Sequence, residues 1–577
     1  MSDQTSCVLS NRAGSFLFLS GPTLSKFNGI FLNDDLTLFK TIESISPTGN
    51  SKGKLEFMEG TDCVRYSLKK KADISIDFDC RRVDDMRKFG RHYTVNQEKG
   101  MIIVEFTKKT DKKEDTTEGE EEFSLCIIIE PDLFDSDEDY DFIDKWKEVH
   151  YPYDKERSDP PTSRYVYRPF TIKAKELHIA AGKTKKEALS ELKRSKSVAI
   201  EQKDLIKTSC NDKKTVKAFN CAQDSLNSLM TVHDRSTRIY AGYPWFFQMW
   251  SRDENISLGA LIKKDSLETV KDILFVYLDN IGEDGRLPNR VPSSSLGSAD
   301  GIGWFWKRMD NLITEMERQD ILDRHMIPDD MRRVKEELAR SIENIEKNYM
   351  KDCLIQNNLN ETWMDTTWQG EDGREGACIE VQAMHLNMLR FMQTLCTEIK
   401  ESEMYKKKEK DLKDAVLKRF WNKQTLADMA DNFTIRPNIF IAYYIYPQLL
   451  EETDWKAAFE SALEKLWLDW GGLSSIDTTS HLFTPDYTGR TNQSYHRGDS
   501  WYWLNNLAAL CLHMNDKESF RKEIRKIIKA SSEEILHRGA IGHHAEVSSA
   551  SHLSSKGCFA QAWSAAMFIE LIAEVYR

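Results

Sequence analysis

From residue 213 onward, two kinds of helical segment alternate, and two kinds of connection alternate with them. Segments 376–400, 436–450, 498–514 and 557–575 are apolar nearly all round, the pattern of a helix buried on every side. Segments 328–350, 404–420 and 516–536 are rich in charge with one apolar stripe, such as Phe520, Ile524, Ile527 and Ile528, the pattern of a helix with an outer face. The same periodicity predicts twelve helices in all, at 213–232, 252–263, 265–280, 301–319, 328–350, 376–400, 404–420, 436–450, 454–467, 498–514, 516–536 and 557–575. Connections leading from an outer helix to an inner one are long, from the 15 residues of 421–435 to the 30 of 468–497. Those leading back out are mostly one to three residues, 320–327 being the longest. Six outer and six inner helices joined in this way describe an all-α (α/α)6 toroid, with antiparallel neighbours and every long loop at one end. Long loops inside a compact domain tend to carry function, so the mouth where the inner helices begin is the place to look for chemistry.

The first third of the chain is different. Of 14 tryptophans only Trp146 precedes residue 245. Between 72 and 80, Ile74, Ile76 and Phe78 alternate with Asp73, Ser75, Asp77 and Asp79, a period of two that buries one face of a strand. Further strands are expected at 15–20, 101–107, 123–130 and 165–174, which makes residues 1–182 an antiparallel β-sandwich-like domain. The acidic runs 114–122 and 135–141 read as solvated loops, and the lysine-rich stretch 183–212 as a helical linker to the (α/α)6 barrel at 213–577. The formal charge of −12 argues against nucleic acid or an anionic membrane as principal partner. No apolar run reaches the ~18 residues of a membrane span, and no secretory signal opens the chain. Eleven cysteines without a C-x-x-C pair point to a reducing, cytoplasmic setting rather than a disulfide framework.

The long connections and the first turns after them hold the unusual chemistry. They read GYPWFFQMWSRDE (242–254), GRLPNR (285–290) followed by Ser298-Ala-Asp300, ETWMDTTW (361–368) followed by Glu371, RPN (436–438), YHRGDSW (495–501) and GHHAE (542–546). Indole planes interleaved with Arg, Asp, Asn and His suit a sugar: its C–H faces stack on aromatic rings, and its hydroxyls need donors and acceptors fixed in direction. Plainer roles compete. Trp245 and Trp250 are suited to plugging a barrel end, Asp253 sits where an N-cap is wanted, and Arg436-Pro-Asn438 has the form of a helix start with Pro in the first turn. Asp365 follows Thr-Trp-Met directly, an apolar run of the sort in which a carboxyl keeps its proton at neutral pH. His544-Ala-Glu546 has the H-x-E form of zinc deaminases but lacks their P-C-x-x-C partner, so neither a metal nor any other cofactor is expected.

The strings at 242–256, LPNR (287–290), TWMD (362–365), IRPN (435–438), YHRGDSWYW (495–503) and GCFAQAWS (557–564) occur in an order that resembles the amylo-α-1,6-glucosidase domain of glycogen debranching enzymes, within the wider glucoamylase-like set. Residues 11–14 and 26–31 are similar to the β-domain that precedes the glucosidase in prokaryotic debranching-type proteins. The resemblance implies an inverting exo-glucosidase, free of metal, that acts on α-1,6-linked glucose of a glycogen-like α-glucan. It implies Asp365 as general acid and Glu546 as base, with Arg252 and Asp253 clamping the terminal glucose. Trp250, Asn289, Arg290, Asp300, Trp363, Arg436, Asn438, His496 and Trp501 are further lining, and Glu371 is the alternative acid. The chain departs from the family in two places: no Pro precedes Glu546, and Ser-Arg-Asp stands where Gly-Arg-Asp is usual. It has no room for the (β/α)8 transferase barrel of the eukaryotic enzymes, which leaves a separate glucanotransferase as the partner the resemblance allows. The alternatives are a glucosidase for α-1,4 or other glycan linkages, and a glycan-binding protein without turnover.

Overall fold

The computed structural model describes residues 6–577 except 21–23, 33–35, 47–48, 51–52, 84, 86–89, 110–121, 133–134, 136–137, 157–158, 198–204, 234–235 and 292–296. The chain divides into two compact units, one of them spanning Gln4–Lys203.

Among the described residues, that first unit is built on one twelve-stranded antiparallel sheet. Two strands of 20 residues each, Cys63–Arg82 and Ser163–Gly182, run side by side through its middle and change partners along their length. Cys63–Arg82 pairs with Lys54–Phe57 near its start and with Leu36–Ser46 near its end. Ser163–Gly182 pairs first with Tyr140–His150 and then with Phe123–Pro131. The expected alternation is there: Ile74, Ile76 and Phe78 are fully buried and pack with Phe39, Val104, Phe106, Ile127, Phe170 and Ile172 in one cluster. The acidic run 135–141 leads into the strand Tyr140–His150, whereas most of 114–122 lies outside the described residues. The stretch expected to be a linker folds over Lys185–Ser195 into a helix, capped by Thr184, that seats Ala188 and Leu192 against Cys63, Ile103 and Ala180 of the sheet. Two apolar positions four apart make that helix part of the β unit rather than a bridge.

Among the described residues, the second unit holds thirteen α-helices, the twelve of the two rings and the single turn Leu322–His325. The inner six are Ser251–Lys263, Gly301–Arg318, Ile379–Leu395, Asn438–Ile445, Tyr502–Asp516 and Ala562–Val575. Each packs on the next, and the sixth packs back on the first, closing the ring. The outer six are Lys213–Leu229, Leu267–Leu278, Pro328–Tyr349, Ile399–Phe420, Glu452–Leu466 and Arg521–His537. The difference between the two sets is written in their burial. In the first inner helix every residue from Ser251 to Leu261 is buried. In the third outer helix only Val334, Leu338, Ser341, Ile342 and Ile345 are, spaced to fall on one stripe. Among the described residues, no helix is long and apolar enough to cross a membrane.

All the long loops meet at one end, and short antiparallel ladders fasten them to one another. Gly242–Tyr243 pairs with Ala560–Gln561, and Ser500–Trp501 pairs with Val547–Ser548. A further bridge joins Trp250 to Arg290. These ladders pair the backbone groups of the loops and make the mouth a built surface.

Candidate active site

One pocket at the mouth is lined by Phe246, Trp250, Arg252, Asp253, Trp363, Asp365, Tyr495, Trp501, Glu546, Gln561 and Trp563. It brings Asp365 and Glu546 together from loops that are far apart in the chain, along with five of the other residues expected to line it.

Glu546 is buried, and both of its oxygens are held. Tyr495 Oη donates to Oε1 at 2.6 Å and the Cys558 N–H donates to Oε2 at 2.9 Å. Gly557 makes this possible, since a Cβ there would stand 2.1 Å from Oε2 and the residue has φ +64°. Burial pushes the Glu546 carboxyl up to about 7, against the two hydrogen bonds, and the nearby charge of Asp365 pushes the same way. Asp253, in the first turn of the first inner helix, is likewise raised to about 7 by burial, opposed by Arg252 and reinforced by Glu546. Its Oδ1 accepts from Gln561 Nε2 at 3.1 Å. Asp499 is raised to about 7 for the same reason, with Ser494 Oγ donating at 2.9 Å.

Asp365 is placed differently from the expectation. Trp363 and Met364 are buried, but the chain turns outward after them, and the Asp365 side chain is 36 % exposed. His496 Nε2 lies 3.5 Å from its Oδ1. Burial pulls His496 down to about 4, so its ring is neutral at physiological pH, and it stacks parallel on Trp501 with centroids 5.1 Å apart. Trp501 in turn meets Trp363 edge-on at 5.2 Å.

The remaining expected residues lie beneath the pocket and hold it up. Asp300 accepts from Arg252 Nε and from the Trp363 N–H, both at 2.7 Å, which fixes the guanidinium and one indole of the lining together. Asn438 Oδ1 accepts from Trp363 Nε1 at 2.7 Å. Arg436 donates to the His496 carbonyl at 2.7 Å. The Asn289 carbonyl accepts from the N–H of Ser251 at 2.9 Å, and the Arg290 guanidinium lies 5.1 Å from the Trp250 ring centre. Glu371 is outside the pocket, half-exposed and 3.4 Å from His481. The histidines of the 542–552 loop are dispersed: His543 bonds Ser225, and His544 is enclosed by Glu534 and Asn506. Among the described residues, no group of His, Cys, Asp and Glu is arranged to hold a metal ion. Tyr495, Gln561, Trp563 and Phe246 join the lining unannounced, although all four lie inside the recurring strings and one of them heads the Tyr-His-Arg-Gly-Asp run.

Of solved structures, a bacterial glucoamylase complexed with acarbose superposes over 99 % of this chain and 94 % of its own, with TM-score 0.57 and 10 % identity, a likeness that establishes the fold alone. A wild-type glycosidase covers 63 % of this chain and 98 % of its own at 12 % identity and TM-score 0.47. No curated protein matches the chain. The family model described as Amylo-alpha-1,6-glucosidase matches residues 215–570, which take in Asp365, Glu546 and the other residues lining the pocket. By that match over more than half its length, this chain belongs to the amylo-α-1,6-glucosidase family and is a glycosidase.

Proposed function

We propose that this chain removes single glucose units from α-1,6-linked stubs of a glycogen-like α-glucan, with inversion at the anomeric carbon. The observation that carries the reading is the convergence of Asp365 and Glu546 on one pocket walled by Trp250, Trp363, Trp501 and Trp563. Two carboxyls across one sugar are what glycoside hydrolysis needs, with a separation of roughly 6.5–9.5 Å where a water must fit between them.

In this mechanism Asp365 lends its proton to the glycosidic oxygen as the C1–O bond breaks. Glu546 takes a proton from the water whose oxygen bonds to the opposite face of C1. Tyr495 and the Cys558 N–H suit Glu546 to this role, because both donate to the carboxylate and neither requires it to carry a proton. Arg252 and Asp253 are placed to grip hydroxyls of the terminal glucose, the guanidinium held for that purpose by Asp300. The free state of all eleven cysteines fits a cytoplasmic setting, and branches trimmed by a separate glucanotransferase are the substrate this pocket is suited to.

The test is a limit dextrin whose branches a glucanotransferase has first trimmed to single glucose stubs, followed by proton NMR, where β-glucose is the expected first product. Release of α-glucose refutes inversion. Faster hydrolysis of linear maltooligosaccharides than of isomaltose-type branches replaces the α-1,6 linkage by α-1,4.

A further inference from the structure

The end of the barrel away from the mouth holds a cavity of about 930 Å³. Its origin is a mismatch of lengths. The fourth inner helix has 8 residues where the second has 18, so at 1.5 Å per residue it stops about 15 Å short. The inner boundary of this space is a closed network. Glu570 accepts from Arg308 Nη2 at 2.9 Å and from Tyr444 Oη at 2.6 Å, and Gly259 makes room for it, since a Cβ there would lie 1.9 Å from Glu570 Oε1.

The charges on the lining do not balance. The lining side chains include six basic and four acidic groups, a surplus of two positive charges in a chain of net −12. Each acid is engaged: Glu570 by Arg308, Glu574 by Lys263 at 2.8 Å, Glu315 by Arg318, and Asp265 by Gln319. Among the described residues Lys307 makes no hydrogen bond or ion pair, although it is partly buried on the second inner helix and faces the cavity. Asp310, one turn on, acts on its charge from beyond ion-pair distance, and burial holds the Lys307 ammonium below the ordinary lysine range. Among the described residues, Lys207 and Arg577 of the lining make no ion pair, although Arg577 acts on Glu574 at longer range. A phosphate monoester carries about −1.5 to −2 at neutral pH, which matches the surplus where a single carboxylate does not. Thr208, Asn311 and Thr314 supply hydroxyl and amide groups for a sugar body.

We propose that this cavity is a second ligand site, for a small phosphorylated sugar whose phosphate is met by Lys307. The proposal does not depend on hydrolysis at the mouth. It is tested by calorimetric titration of the full chain with glucose 6-phosphate, alongside glucose, inorganic phosphate and AMP. Saturable 1:1 binding of glucose 6-phosphate is expected, at least tenfold tighter than inorganic phosphate or AMP, with glucose silent. Lys307→Met is expected to weaken it at least tenfold while melting no lower than the parent, because an unpaired, desolvated charge has been removed. Asp365→Asn is expected to bind as the parent does. Thr314→Glu, which adds a carboxylate to the lining, should weaken binding at least tenfold and stands in should Lys307→Met not fold. Absence of binding, equal affinity in Lys307→Met and the parent, or loss of binding in Asp365→Asn each overturns the site. Equal affinity for inorganic phosphate, or tighter binding of AMP, overturns the sugar.

Discussion

Buried acids in the barrel wall and buried acids at its mouth live under different rules. In the wall, Glu254 faces Arg238 at 2.7 Å, Glu380 faces Arg374 at 2.7 Å and Glu570 faces Arg308 at 2.9 Å. At the mouth, Glu546, Asp253 and Asp499 receive only neutral donors: a phenol and an N–H, an amide, a hydroxyl. The one arginine beside Asp253, Arg252, spends its Nε bond on Asp300 instead. A charge in a low-dielectric site is tolerated when paired and is costly when it is not. Paired acids hold elements together, and Asp300 at the mouth, bound to Arg252, is one of them; Glu546, Asp253 and Asp499 stay without a cation, at some cost in stability, for a ligand to meet.

The largest expected effect separates the two sets by what they lose. Asp365→Asn and Glu546→Gln should each lower kcat on a limit dextrin by on the order of 10²–10⁴-fold, with the circular dichroism spectrum unchanged. Full activity in either variant removes that residue from the chemistry. Arg308→Met should do the converse. It strands Glu570 inside the barrel and should cost about 3–5 kcal/mol of stability, read as a lower denaturant midpoint, with kcat of the folded fraction kept. An Arg308→Met protein as stable as the parent breaks the comparison, since the wall pairs would then not be needed.

How much of this was legible in the sequence depends on what kind of information each part needs. The helices were, because burial on one stripe or all round is a property of a single segment. The ladders that fasten the mouth were not: nothing local to Gly242 says that it pairs with Gln561, because tertiary packing sets that register. Motif strings found the right loops but not which side chain faces the cavity. Asp300, Arg436 and Asn438 sit within hydrogen-bond reach of the lining and act through Arg252, Trp363 and the His496 loop. Asp365 was misjudged for a related reason, since an apolar run predicts burial of its own members, Trp363 and Met364, and not of the residue after the turn. In the β unit, the strand Cys63–Arg82 was visible only over its second half because Lys69, Lys70 and Lys71 interrupt the alternation at an exposed stretch.

A smaller effect follows from the raised carboxyls. Glu546 titrates near 7 in the folded chain and near 4.5 in the unfolded one, so between those values the folded state binds more protons. Stability then falls as pH rises through that window, and the charged form leaves a penalty on the order of 3 kcal/mol above it. Glu546→Gln removes the ionisable group. Its melting temperature should match that of the parent at pH 5 and exceed it at pH 8. A wall variant such as Glu570→Gln should show no such gain, because there the charge is paired. Equal pH dependence in Glu546→Gln and the parent would mean that the mouth acids are no less comfortable than those of the wall.

The smallest effect comes from Tyr495, which touches the base without being one. Its hydroxyl favours the ionised Glu546 and so works against burial. Tyr495→Phe deletes that donor and leaves the ring packed at 4.7 Å from Trp501. A hydrogen bond to a charged group contributes about 1.5–3 kcal/mol, so the carboxyl should move further up, by about one pH unit. The acid limb of kcat/KM should shift to higher pH by the same amount, while activity on the alkaline side of that limb falls by less than tenfold. A merely structural tyrosine would lower activity evenly across the profile. A displaced limb, by contrast, identifies Tyr495 as the residue that keeps Glu546 ionised at the pH where a base is needed.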